Sequence, residues 1–174
     1  ILGVLLGDGS LGKSNIRLTS RDNFIIEKVS SLLDDNYKIK QYSEIDFAII
    51  KDLPRNSLIK NNYIEYLKKM ELIDKKSHEK FIPDEYLNSN SFNKKSLLQG
   101  LMDTDGHVTK NGSLIYYSTS KILAEQIVYL VHSIGGIAKI KEKQTYFKYK
   151  GIKKAGKPCY CVKIRYHNPR DLVS

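Results

Sequence analysis

Two aspartates stand at equivalent places in this 174-residue chain. Asp8 lies near the end of the apolar segment 1–9 and Asp105 near the end of 97–106, and a glycine follows each directly. Read as helices, the segments present Gly3 and Gly100 where two helices can approach closely. Each would end on Gly9 or Gly106 in the left-handed conformation that suits glycine. The aspartates then fall in the last helical turn, where the helix dipole disfavours negative charge. Without a cation nearby such a carboxylate costs stability, so a structural purpose for it is hard to find. Packed side by side, the two helices would gather both carboxylates and their neighbouring carbonyls into a set of hard oxygen donors suited to Mg2+. Metals held there would activate water and stabilise the leaving oxygen of a phosphodiester.

A second pattern competes for the same residues. Gly7-Asp8-Gly9-Ser10-Leu11-Gly12-Lys13-Ser14 satisfies the phosphate-loop spacing G-x-x-x-x-G-K-[ST], and residues 47–52 offer an apolar run ending in an acid. A nucleotide-hydrolysing reading needs a helix immediately after Ser14. Asn15-Ile16-Arg17-Leu18 instead alternates like a strand. The second half has no copy of the pattern, and no long β–α alternation follows to build a parallel sheet.

The elements that must position the aspartates occur twice. After Asp8, Ile16 and Leu18 alternate with polar residues. Ser20 or Asp22 can then cap a helix bearing Ile25, Val29, Leu32 and Leu33, and alternation returns over 37–41 and 45–50. A further helix is expected over 58–70. After Asp105 the order repeats, with a strand over 114–117 and a Ser120-led helix carrying Leu123, Ile127, Leu130, Val131 and Ile134. Gly135-Gly136 supplies a stop. A repeat of about 97 residues is too long for a solenoid and predicts two α+β halves related by an approximate two-fold axis.

Charge identifies the class of partner. The chain carries 29 Lys+Arg against 19 Asp+Glu, a net charge of +10. Between Ile137 and Arg170 there are eleven Lys or Arg residues and one acid, Glu142, alternating with apolar and aromatic neighbours. Period-two alternation puts those cations on one sheet face, which favours nucleic acid. With 41% hydrophobic residues the chain can bury a core. The longest apolar run, 1–6, is far shorter than the roughly 20 residues of a spanning helix, so a soluble, intracellular protein of the cytoplasm or nucleoid is expected. Cys159 and Cys161 have no partner pair for a zinc site, and His78, His107, His132 and His167 show no ligand spacing.

Leu98-Gln99-Gly100-Leu101-Met102-Asp103-Thr104-Asp105-Gly106 resembles the LAGLIDADG motif of homing endonucleases, and Ile1-Leu2-Gly3-Val4-Leu5-Leu6-Gly7-Asp8-Gly9 resembles a degenerate first copy. Lys80-Phe81-Ile82-Pro83 is similar to the Lys-x-Ile-Pro block that precedes the second motif in intein-encoded members. Residues 123–137 are similar to the helix-plus-glycine block that follows it. The chain is thereby identified as a single-chain, two-motif member. The resemblance implies a pseudo-two-fold pair of αββαββα halves, 1–90 and 91–174, with the motif helices at the interface and saddle-shaped antiparallel sheets on DNA.

It further implies a double-strand break in a long DNA target by Mg2+-dependent phosphodiester hydrolysis. Asp8 and Asp105 would be the metal-binding acids, the carbonyls of Gly7 and Thr104 would help hold the ions, and Lys80 would be the catalytic lysine. Arg17, Lys38, Lys40, Lys139, Lys141, Lys163 and Arg165 are the expected DNA contacts, and the protein is expected to act as a monomer, with no membrane. Leu6 departs from the motif, where its first acid usually stands. The alternative is a non-cutting relative, an RNA maturase or DNA-binding regulator, against which the retention of both acids argues.

Overall fold

The computed structural model describes residues 1–52 and 61–174. The first half runs α1 (Leu2–Asp8), β1 (Gly9–Leu11), β2 (Ile16–Thr19), α2 (Asn23–Ser31), β3 (Tyr37–Gln41), β4 (Asp46–Lys51) and α3 (Asn62–Lys69). Of the helix expected over 58–70, residues 58–60 lie outside the described residues. A short α4 (Asp84–Leu87) leads into α5 (Ser91–Asp105), β5 (Gly106–Val108), β6 (Leu114–Ser118), α6 (Lys121–Ser133), β7 (Ile137–Tyr149) and β8 (Ile152–Arg165). A single 3-10 turn, Pro169–Leu172, stands where the expected pattern puts a last helix.

Each half folds its strands into an antiparallel sheet of the same order, β1-β2-β4-β3 and β5-β6-β8-β7. The register is repeated as well. Gly9 pairs with Leu18 and Gly106 with Tyr116, so the residue after each aspartate meets the same strand position in both halves. Asp22 caps α2 by accepting from the Phe24 N–H, and Ser120 caps α6 by accepting from the Leu123 N–H. The residues with alternating burial on β2, β4, β6 and β8 face a single core shared with α1, α5 and α6.

The halves join along α1 and α5. A Cβ on Gly3 would lie 2.3 Å from the Leu97 carbonyl oxygen, and one on Gly100 would lie 3.0 Å from the Val4 nitrogen. Only glycine permits that approach. Gly9 and Gly106 depart from the left-handed expectation. Their φ angles are −80° and −89°, extended backbone, because each helix passes straight into a strand rather than through a reversing turn. Glycine is needed there for space, since a Cβ would fall 2.3 Å from the Leu5 carbonyl oxygen or 2.2 Å from that of Met102. The expected helix stop at Gly135 does take the left-handed conformation, with φ +85°.

The phosphate-loop reading fails on the same hairpin. Gly12 donates to the Asn15 carbonyl at 2.9 Å and β2 begins at Ile16, so no helix follows Ser14. Lys13 pairs with Asp74 at the surface.

The halves differ in one large feature. Strands β3 and β4 pair over five positions, whereas β7 and β8 pair from Ile137–Arg165 out to Tyr149–Ile152. Strand β6 supports β8 only over Tyr160–Ile164. The remainder is a two-stranded ribbon closed by Lys150-Gly151, both at positive φ, as a two-residue hairpin turn requires.

Candidate metal centre and nucleic-acid interface

Asp8 and Asp105 are the last residues of α1 and α5, and the crossing of those helices brings them to one cavity of about 340 Å³. Its other linings include Gly7, Ser77, Tyr116, Thr119 and Cys159. Gly7 and Thr104, the residues before the two acids, face each other across the crossing. A Cβ on Gly7 would lie 1.9 Å from Thr104 Oγ1. Thr104 Oγ1 donates back to the Leu101 carbonyl at 2.8 Å, which leaves the Thr104 side chain fixed beside Gly7.

Burial dominates the electrostatics. The Asp105 carboxyl is pushed up to about 6, by desolvation first and by Asp8 second, with the Lys80 ammonium opposing. Asp8 is raised by burial too, again against Lys80. Asp8 thus disfavours charge on Asp105 at a shared cavity, which leaves the site incomplete in charge terms, and a hard cation would relieve it. The two carboxylates are hard donors that suit Mg2+ or Ca2+ rather than a soft metal. Gly7 lines the same cavity, with its carbonyl accepting from Lys80, whereas Thr104 lines a neighbouring one with Asp8. Among the described residues no group of three or more His, Cys, Asp or Glu side chains could hold a metal. The acid pair would therefore need further oxygens from a bound partner or from water.

Lys80 lies between the halves and is 3% exposed. Its Nζ donates to the carbonyls of Leu5 at 3.1 Å, Gly7 at 2.9 Å and Gly9 at 2.7 Å. The Gly7 carbonyl lies in the last turn of α1, where carbonyls lack helical donors, the Leu5 carbonyl also accepts from the Gly9 N–H, and Gly9 opens β1. The ammonium thus supplies the cation that the last turn of α1 lacks. Burial lowers its pKa to about 8, although Asp105 and Asp8 both favour its charge. The Lys80 backbone is anchored to the other half, since Ser120 Oγ donates to its carbonyl at 2.6 Å. Gln126 brackets Ile82 through the N–H at 2.6 Å and the carbonyl at 2.9 Å.

The seven basic residues expected to meet DNA fall on the sheet faces turned away from the core. On the second sheet, Lys139 pairs directly with Lys163, Ile137 with Arg165 and Lys141 with Cys161, so all four cations share one face. Like charges directly opposite are destabilising, and a polyanion across them removes the penalty. On the first sheet Arg17 and Lys40 both pair with Ala48 and share a face. Acids there were missed by the charge count. Arg17 bonds Asp46 at 2.8 Å and Lys38 bonds Asp52 at 2.5 Å. The second sheet is consequently the more cationic. His107, on β5, is exposed, and Cys159 rather than any histidine lines the acid cavity.

The tyrosine at 116 was also missed. It sits on β6 opposite Gly106, 1% exposed, and its hydroxyl has no hydrogen-bond partner. The only signal in the sequence was a polar-tipped ring where the first half has Leu18.

The family model described as "LAGLIDADG-like domain" matches residues 93–167. The chain adopts the fold of a mesophilic variant of the homing endonuclease I-DmoI, with a TM-score of 0.59 over 98% of this chain and 89% of that one at 15% identity. I-DmoI solved with DNA and Mn aligns with a TM-score of 0.53, 14% identity, over 94% and 86% of the two chains. Residues 93–167 therefore match a LAGLIDADG-like domain, and the whole chain shares the pseudo-symmetric two-sheet fold of I-DmoI.

Two curated relatives are much longer. A replication factor C small subunit of Methanocaldococcus jannaschii is 29% identical over 145 residues, 82% of this chain and 8% of that protein. A replicative DNA helicase DnaB of Mycobacterium intracellulare is 41% identical over 56 residues, 32% of this chain and 10% of that protein. The chain thus spans about a tenth or less of the curated relatives it matches. Among the described residues no helix is long and apolar enough to cross a membrane.

Proposed function

We propose that the chain is a site-specific DNA endonuclease of the homing type, cutting both strands of a long target by metal-dependent phosphodiester hydrolysis. The observation that carries this reading is the meeting of Asp8 and Asp105 at the ends of two crossed helices, each end running directly into a sheet with cations on its outer face. Asp8 and Asp105 would hold divalent cations, Mg2+ by the hardness of the donors, with the Gly7 and Thr104 carbonyls beside them. Solved I-DmoI complexes contain Mn, Ca or Mg, in agreement with a divalent requirement. The ions would supply charge for the attacking and leaving oxygens of the phosphodiester.

The protein's own part is positional. The glycine crossing fixes the spacing of the two acids, and the outer faces of the sheets would set DNA register through Arg17, Lys38, Lys40, Lys139, Lys141, Lys163 and Arg165. Lys80 directs all three of its N–H bonds to α1 carbonyls and their neighbour Gly9. It therefore acts by holding the Asp8 end of that helix and by keeping positive charge beside both acids. Residues 1–90 and 91–174 would each read one half of the target.

Both acids come from one chain, which supports action as a monomer. The small share of each replication protein that aligns supports an insert carried within a longer host protein, as in intein-encoded members.

Cleavage of a randomised duplex library in Mg2+ tests the proposal, with Asp105→Asn as the control and Ca2+ to permit binding without cutting. One recovered site, cut by the native chain and spared by Asp105→Asn, supports the endonuclease. Selective binding without cleavage by the native chain overturns it in favour of a maturase or regulator.

A further inference from the structure

Tyr116 holds a buried hydroxyl that the fold does not require. The repeated register gives its position a twin, Leu18, paired with Gly9 as Tyr116 is with Gly106. Both side chains are 1% exposed, so the position calls for apolar bulk and leucine suffices in one half. In the other half a phenol oxygen is buried without a hydrogen bond. A buried unsatisfied hydroxyl costs about 1–3 kcal/mol. Such a penalty at one of two equivalent positions calls for a purpose outside packing.

The neighbours of the ring suggest it. Tyr116 lines the cavity that holds Asp8 and Asp105, and its strand partner is the residue next to Asp105. By strand register Asp105 is the nearer acid to Tyr116, and the hydroxyl forms no hydrogen bond with it.

We propose that Tyr116 is the positioning residue of Asp105, its hydroxyl donating to that carboxylate when a divalent cation is held against the acid pair. Leu18 offers Asp8 no such donor, so the two acids are inequivalent despite their matching places in the repeat. The Asp105 side is the more strongly held of the two. This inference rests on the acid pair being a metal site. Partners that orient a ligating side chain are typically worth 10- to 100-fold in metal affinity.

The test is titration of the full chain with Mn2+ alone, followed by calorimetry and by the spin-resonance signal of the free ion. Tyr116→Phe is expected to weaken binding about tenfold while leaving thermal stability without metal unchanged or slightly higher. Tyr116→Leu, which copies the first half, is expected to do the same and serves if the phenylalanine variant folds poorly. In an Asp105→Asn background the second change is expected to add nothing, whereas in Asp8→Asn the tenfold loss should persist. Native binding that neither Tyr116 variant weakens overturns the role of Tyr116 and leaves the metal site standing. Equal losses in the Asp105→Asn and Asp8→Asn backgrounds overturn it too, because the hydroxyl would then not act through Asp105. A native chain that binds no Mn2+ overturns both the metal site and the inference.

Discussion

The Lys80 ammonium donates to the Gly7 carbonyl at 2.9 Å, which places a positive charge one residue before Asp8 at the dipole-negative end of α1. The lysine comes from the segment pinned to α6 by Ser120 and Gln126. One side chain therefore ties the last turn of the first motif to the second half of the molecule. Lys80→Met keeps the aliphatic stem and removes the three donors. It is expected to lower stability by about 1–3 kcal/mol, the usual result of leaving buried acceptors unpaired, as read by urea denaturation.

That variant should also alter the pH dependence. The Lys80 pKa is lowered to about 8 in the folded protein from 10.5. Between those values the unfolded chain binds the proton and the native chain has released it, so stability rises with pH across the window. The contribution is present above 10.5 and lost as pH falls through 8. Denaturation midpoints at pH 8 and pH 10 should show this rise in the native chain and a smaller one in Lys80→Met.

Asp105 gives the opposite sign. Its carboxyl titrates near 6 in the folded chain against 3.8 ordinarily, chiefly from burial. The native state holds the proton longer than the unfolded state, so its contribution is fully present below about 4 and is lost as pH rises through 6. Asp105→Asn removes that loss. Without divalent metal the variant is expected to be more stable than the native chain at pH 7.5, by about 1–2 kcal/mol after allowance for partial exposure. The difference should vanish below pH 4. Thermal melts at the two pH values check it, and a variant less stable than the native chain at pH 7.5 would contradict the account.

The helix crossing makes a graded prediction. Gly3→Ala puts a methyl 2.3 Å from a backbone oxygen that cannot yield, whereas Gly100→Ala meets its nearest atom at 3.0 Å. Gly3→Ala should force the motif helices apart and cost about 3 kcal/mol or more. Gly100→Ala should cost about 1–2 kcal/mol, within the range for overpacking a core. The wider crossing would separate Asp8 from Asp105, so Mn2+ affinity should fall in the same order.

Much of this was legible because the repeat wrote it twice. Asp8 and Asp105, Gly3 and Gly100, and the strand-helix order each have a partner about one repeat away, and a coincidence at one place is not repeated at another. What could not be read depends on contacts distant in sequence. That Gly9 and Gly106 are needed for space rather than for a left-handed turn follows from the carbonyls of Leu5 and Met102, which only the backbone path reveals. Asp46 and Asp52 meet Arg17 and Lys38 across strands, so counting charges along the chain could not detect the neutralisation. Tyr116 looked like one tyrosine among twelve until register set it beside Asp105.

The ribbon beyond β6 makes the two halves unequal in reach. It carries Lys148, Lys150, Lys153 and Lys154, with Lys148 directly opposite Lys153 and the Lys153 ammonium 4.2 Å from the centre of the Tyr146 ring. Seven residues of β7 past Glu142 extend about 23 Å at 3.3 Å per residue, roughly seven base pairs at the 3.4 Å spacing of duplex DNA. The first sheet has no such extension, because β3 and β4 pair over only five positions. A nuclease footprint on the recovered site, in Ca2+, should therefore reach several base pairs further from the cut on one side. Changing the four lysines together to glutamine should shorten that side alone. Each phosphate left without its cation lowers the salt slope of log K by about 0.9, so the fourfold variant should have a slope shallower by up to about 3.6. Cutting at saturating protein should continue, since the four lysines lie further out along the ribbon than Cys159, which lines the acid cavity opposite Lys143. A symmetric native footprint, or a slope unchanged by the four substitutions, would show that the ribbon stands clear of the DNA.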